Sequence, residues 1–91
     1  MPFYTFILEY KGGTYISQIE SGSPANAFVK GAKSMEAVDV AGLRWKGKRS
    51  LIEQMKSKDF ASIKVLTNVW CNTALIFNQL AIVTIIQTDP T

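Results

Sequence analysis

Arg44-Trp45-Lys46-Gly47-Lys48-Arg49 is the one stretch of this sequence whose residue types and spacing could do binding chemistry, with four cations arranged around an indole. Guanidinium and ammonium groups neutralise phosphates, and an aromatic ring stacks on a nucleobase, so the pattern suits a nucleic-acid surface. The charge is local. From Arg44 to Lys64 seven bases (Arg44, Lys46, Lys48, Arg49, Lys56, Lys58, Lys64) face only Glu53 and Asp59, while the rest of the chain carries more acids than bases and the whole is +3. Gly47 makes the segment read as a loop. The competing reading buries Trp45 in the core beside a solvated basic loop.

Catalytic candidates are few. The chain has no histidine, which removes the commonest general base near neutral pH and the commonest metal ligand. Cys71 is the single cysteine and lies between Trp70 and Asn72 in an uncharged segment. It lacks the basic surroundings that generate a reactive thiolate, so it reads as a small buried hydrophobe. The seven carboxylates are dispersed, and only Glu36 and Asp39 lie close together, short of the several converging oxygens a hard cation needs. Lys11-Gly12-Gly13-Thr14 joins two strand-like runs and lacks the separated glycines and helix start of a phosphate loop. The expectation is a protein that is not an enzyme, with no metal and no cofactor.

The elements that must position these residues follow from length and pattern. A chain of 91 residues has room for one core, so residues 1–91 are expected to form a single small domain. Phe3 to Tyr10 and Thr14 to Glu20 are rich in aromatic and β-branched residues and flank Lys11-Gly12-Gly13, a hairpin pattern. Whether Lys11-Gly12 or Gly12-Gly13 forms the loop, Tyr4, Phe6, Leu8 and Tyr10 share a face with Tyr15, Ser17 and Ile19. The opposite face, with Thr5, Glu9, Lys11, Thr14, Gln18 and Glu20, reads as half solvated despite Phe3, Ile7 and Ile16.

Ser23 and Pro24 suit the cap and first turn of a helix whose inner side carries Ala27, Phe28, Gly31, Ala32 and Met35. Glu36 to Lys48 reads as connection, with a short extended piece at Val38 to Val40. Ser50-Leu51-Ile52-Glu53 fits a capping box that opens a second short helix with Leu51, Ile52 and Met55 inside.

Beyond it, no charge occurs for 24 residues between Lys64 and Asp89. That length could cross a bilayer as a helix, but Asn78-Gln79 would then sit unpaired near the middle of the hydrocarbon. Two strands, Val69 to Phe77 and Leu80 to Thr88, joined at Asn78-Gln79, fit better. That turn sets Leu75 opposite Ile82, Thr73 opposite Thr84 and Cys71 opposite Ile86, with Ala74 opposite Val83 on the other face. A further strand is expected at Ile63 to Leu66. Both faces of this hairpin are apolar, so either helices cover both or one face meets another subunit.

The hairpin and helix at Phe3 to Met35, about a third of the chain, resemble the start of HicB-like antitoxins, which share the strand-strand-helix order and an aromatic first strand. The Pro-Asp-Leu-Pro-Gly type of segment that those proteins carry before the helix is missing here, and no DNA-binding helix pair or ribbon follows.

The resulting expectation is an α+β fold: an antiparallel sheet of four or five strands in the order β-β-α-α-β-β, with two helices packed on one face. The expected function is non-catalytic binding or oligomerisation, with itself as a homodimer or with another protein. The alternative is a nucleic-acid-binding or regulatory, antitoxin-like module that uses Arg44, Trp45, Lys46, Lys48 and Arg49. Met1 to Leu8 carries no base and Glu9 follows at once, so no export signal and no membrane partner are expected, and a cytoplasmic location is.

Overall fold

Alternating burial along Phe3–Tyr10 sets the fold: Tyr4, Phe6, Leu8 and Tyr10 are buried, while Phe3, Thr5 and Ile7 are half-buried and Glu9 is exposed. This strand, β1, pairs antiparallel with β2 (Gly13–Glu20) in the register Leu8 to Tyr15, Phe6 to Ser17 and Tyr4 to Ile19. The connecting residues are Lys11 and Gly12, both at positive φ (50° and 80°), the backbone twist that two-residue hairpins favour. In this computed structural model the described residues are 2–57, 61–62 and 68–88.

Helix α1 (Pro24–Ser34) starts as its sequence dictates, with the Ser23 hydroxyl accepting from the Asn26 N–H at 3.2 Å and Pro24 in the first turn. It buries Ala27, Phe28, Gly31 and Ala32 against the sheet. Gly31 is required by closeness: a Cβ there would overlap the Phe6 ring. One turn of 3-10 helix at Ala37–Asp39 follows, where an extended piece is expected from the sequence. Helix α2 (Arg44–Ser57) then crosses beside α1 and packs on β4.

Strand β3 is a pair of residues, Ala61–Ser62, and the expected strand at Ile63 to Leu66 lies outside the described residues. Strands β4 (Val69–Ile76) and β5 (Gln79–Gln87) form the second hairpin. Its turn is Phe77-Asn78, one residue earlier than the sequence implies, so Leu75 faces Leu80, Thr73 faces Ile82, Cys71 faces Thr84 and Ala74 faces Ala81. Both turn residues have positive φ (51° and 63°). Asn tolerates that conformation and Phe does not readily, but the early turn sets the Phe77 ring against α2 at Gly47. Moving the register by two residues leaves every side chain on its expected face.

The result is one antiparallel sheet in the order β2-β1-β5-β4-β3, with element order β-β-α-α-β-β apart from the short β3. Both helices lie on one face. Between them and the sheet sits a single core built from Tyr4, Phe6, Leu8, Phe28, Leu43, Leu51, Ile76, Val83 and Ile85 among others. No helix among the described residues is long and apolar enough to cross a membrane, and the uncharged stretch supplies β4 and β5.

Candidate functional site

The basic segment is not a loop: Arg44 to Arg49 make up the first turns of α2. A glycine in a helix interior costs about 1 kcal/mol relative to alanine, which is why Gly47 reads as a loop marker in the sequence. Packing explains its place. A Cβ on Gly47 would lie 3.1 Å from Ile76 Cγ2 and Leu43 Cδ1 and 3.2 Å from Phe77 Cε2, so a side chain there would have to push these neighbours back by a few tenths of an ångström, and bare backbone lets the helix approach the β4–β5 turn without that shift. The expected capping box is likewise corrected. Ser50 is interior to α2, where its hydroxyl accepts from Gln54 Nε2 at 3.0 Å.

Trp45 does not enter the core; it is 68% exposed. Arg44, Lys46 and Arg49 are also exposed, and Lys48 is half-buried. Helical spacing then divides the cations. Lys48 and Arg49 stand three and four residues after Trp45 and share its face, Lys46 is turned about 100° away from it, and Arg44, one residue before Trp45 at a left-handed φ of 61°, joins it at a shared cleft wall instead. Ile52 and Lys56 follow Trp45 along the helix, Ile52 half-buried where it packs against the core at the border of the buried Gly47, Leu51 and Met55 side. Lys56 pairs with Glu53 at 3.8 Å.

Trp45, Arg44 and Lys48 also wall a cleft of about 600 Å³ that is closed on its other side by Glu36, Ala37, Val38 and Val40. Val38 is 91% exposed at its mouth. The sequence pattern gives no hint of this partner wall, because Ala37-Val38 has no period and joins Trp45 only through the path of the connection. Tyr15 fixes that path from β2, its hydroxyl accepting from the Ala41 N–H at 3.2 Å.

The second surface is the face of the sheet away from the helices. Pairing lines up Ile16, Ile7, Thr84, Cys71 and Ala61 as one row across all five strands. Neighbouring rows bring in Phe3, Ile82, Ile86, Val69, Leu75 and Leu80, with threonines between them. Ile16, Leu75 and Leu80 are 68%, 61% and 56% exposed. Within β1, β2, β4 and β5 the only charged or amide side chains on this face are Glu9, Gln18 and Glu20, toward the β2 side. No described element covers it. Apolarity on both sides of β4 and β5 is legible in the sequence; the extension of that apolar face to Ile7 and Ile16 is not, because Glu9, Gln18 and Glu20 give the first hairpin a polar outer pattern.

Neither surface carries an obvious reactive centre. Among the described residues no group of three or more His, Cys, Asp or Glu side chains could hold a metal ion. No protein-family model, curated protein or solved structure matches this chain.

Proposed function

We propose that this domain is a non-catalytic binding module that assembles with a second copy of itself through the open face of its sheet. The observation that carries the reading is the uncovered row Ile16, Ile7, Thr84, Cys71 together with Leu75, Leu80, Ile82 and Ile86. Antiparallel sheets that face water alternate polar residues outward, and this one does so only near β2. Contiguous apolar patches beyond a few hundred Å² are uncommon on monomers.

The size is suited to a pair. Four long strands about 4.8 Å apart and about 27 Å long give a flat face of roughly 500 Å². Side-chain relief raises the accessible area toward the ~800 Å² per partner of a standard stable interface. Two such faces would stack as an aligned sandwich about 10 Å apart, leaving both helical layers outside. A second copy is favoured over an unlike partner because the face has no basic group to match an acidic one; its carboxylates, Glu9 and Glu20, lie toward the β2 side, and the apolar remainder is self-complementary under a two-fold axis.

Sedimentation over a range of concentrations tests this, with a species of twice 10.1 kDa expected. Ile82→Lys should give a monomer that still folds, since its ammonium would fall opposite Glu9 on β1 and gain an opposite-charge cross-strand pair. A monomer at every concentration in the unaltered chain would overturn the proposal.

A further inference from the structure

We infer that the Trp45 face of α2 binds single-stranded nucleic acid, with the indole stacked on an unpaired base and Arg44, Lys48 and Arg49 on the flanking phosphates. This surface lies on the side of the sheet opposite the proposed assembly face, so the two readings stand or fall separately. A large aromatic ring 68% exposed has left the core that composition would assign to it. Around it stand cations with no ion pair among the described residues. No acidic residue occupies the first turn of α2, where one would favour the helix, and basic ones stand there instead.

The chemistry of the surface selects among anionic partners. An open indole face beside guanidinium and ammonium groups matches a base flanked by phosphates, whereas an acidic peptide would use the cations and leave the ring idle. A duplex keeps its bases stacked and paired, out of reach of a ring on a helix side. A flat anionic bilayer meeting Trp45 and Val38 together would also meet Glu36 on the cleft wall and the exposed Asp39 beside it. A single strand avoids both carboxylates by running along α2 past Lys48 and Arg49 and stopping short of Lys56, which is paired with Glu53. From Trp45 to Arg49 that track is about 6 Å long, enough for one stacked base and its flanking phosphates.

The test is fluorescence anisotropy with labelled 12-nucleotide oligothymidylate and oligouridylate, a 12-base-pair duplex, and phosphatidylserine vesicles, each at two salt concentrations. Binding of the single strands in preference to duplex and vesicles is expected. Trp45→Leu should weaken it at least fivefold while Trp45→Phe retains most of it, because phenylalanine still offers a ring for stacking. Changing Arg44, Lys48 and Arg49 together to Gln should lower the slope of log affinity against log salt by about 2, at roughly 0.7 for each phosphate no longer neutralised. Circular dichroism of each variant confirms folding. No binding at low salt, a preference for duplex or vesicles, or equal affinity of the Leu and Phe variants would overturn the inference.

Discussion

The side-chain amide of Gln54 pairs with both backbone groups of Leu75: Nε2 donates to the Leu75 carbonyl at 2.7 Å, and the Leu75 N–H donates to Oε1 at 3.0 Å. A helix side chain thus supplies the rung that a neighbouring strand would make. Among the described residues β3 pairs with β4 only at Cys71 and Trp70, and at Leu75 the described partner of that edge is the Gln54 amide. Unpaired edges recruit other strands, and this pairing blunts one of them. It also directs association toward the face of the sheet.

Gln54→Ala is therefore expected to destabilise the domain by about 0.5 to 1.5 kcal/mol, since both bonds are exposed and water takes up the freed Leu75 groups. Ser50→Ala, which only frees the Gln54 side chain from its 3.0 Å hydrogen bond, should cost less. Urea unfolding of the two variants checks the order, and equal losses would mean that the pairing with Leu75 contributes little.

Gly31 and Phe6 form the tightest helix-to-sheet approach. Gly31→Ala raises helix propensity, yet it should destabilise by roughly 1 to 3 kcal/mol because the methyl group overlaps a fully buried ring. Phe6→Ala should cost about 3 to 5 kcal/mol through the cavity it leaves. The informative variant combines Gly31→Ala with Phe6→Leu: the smaller side chain makes room, so the double variant should be more stable than the sum of the single losses predicts. Strict additivity would show that the two residues do not share one space.

Hairpin β1–β2, the Ser23 cap and the inner side of α1 are legible in the sequence because turn glycine, capping hydroxyl and helical period act within a few residues. The start of α2 is not. Gly47 reads as punctuation locally, and its reason for standing in a helix, the approach to Ile76 and Phe77, comes from residues about thirty positions away. Ser50 and Glu53 match a capping box by type, while Ser50 serves Gln54 instead. The candidate site is legible as composition, four cations and a tryptophan; its division into a Trp45 face and a separate Lys46 requires the helix.

The Phe77-Asn78 turn offers a sharper test of backbone chemistry. Both residues sit at positive φ, where asparagine is tolerated and glycine unstrained. Asn78→Gly should leave stability unchanged or slightly raised, whereas Asn78→Ala should lower it by about 1 kcal/mol. Phe77→Gly removes strain of similar size but also removes the ring set against Gly47. A net loss from Phe77→Gly in thermal unfolding would mean that the ring packing outweighs the strain, as the placement of Phe77 implies.

Cys71 gives the proposed assembly a chemical reporter. It lies half-buried in the row that crosses the open face, between Thr84 on β5 and Ala61 on β3. In a lone chain one side of the thiol faces solvent; in a stacked pair the partner sheet would exclude reagent from it. The rate of alkylation by iodoacetamide at fixed pH should therefore fall as protein concentration rises through the dissociation constant. Ile82→Lys, expected to hold the chain as a monomer, should react at one rate throughout and faster than the concentrated unaltered protein. Ile82 neighbours Thr73 rather than Cys71 across the β4–β5 ladder, so the substitution leaves the thiol's paired neighbour in place. A rate independent of concentration while sedimentation shows dimers would place the interface elsewhere on the molecule, and the open face would then need another occupant.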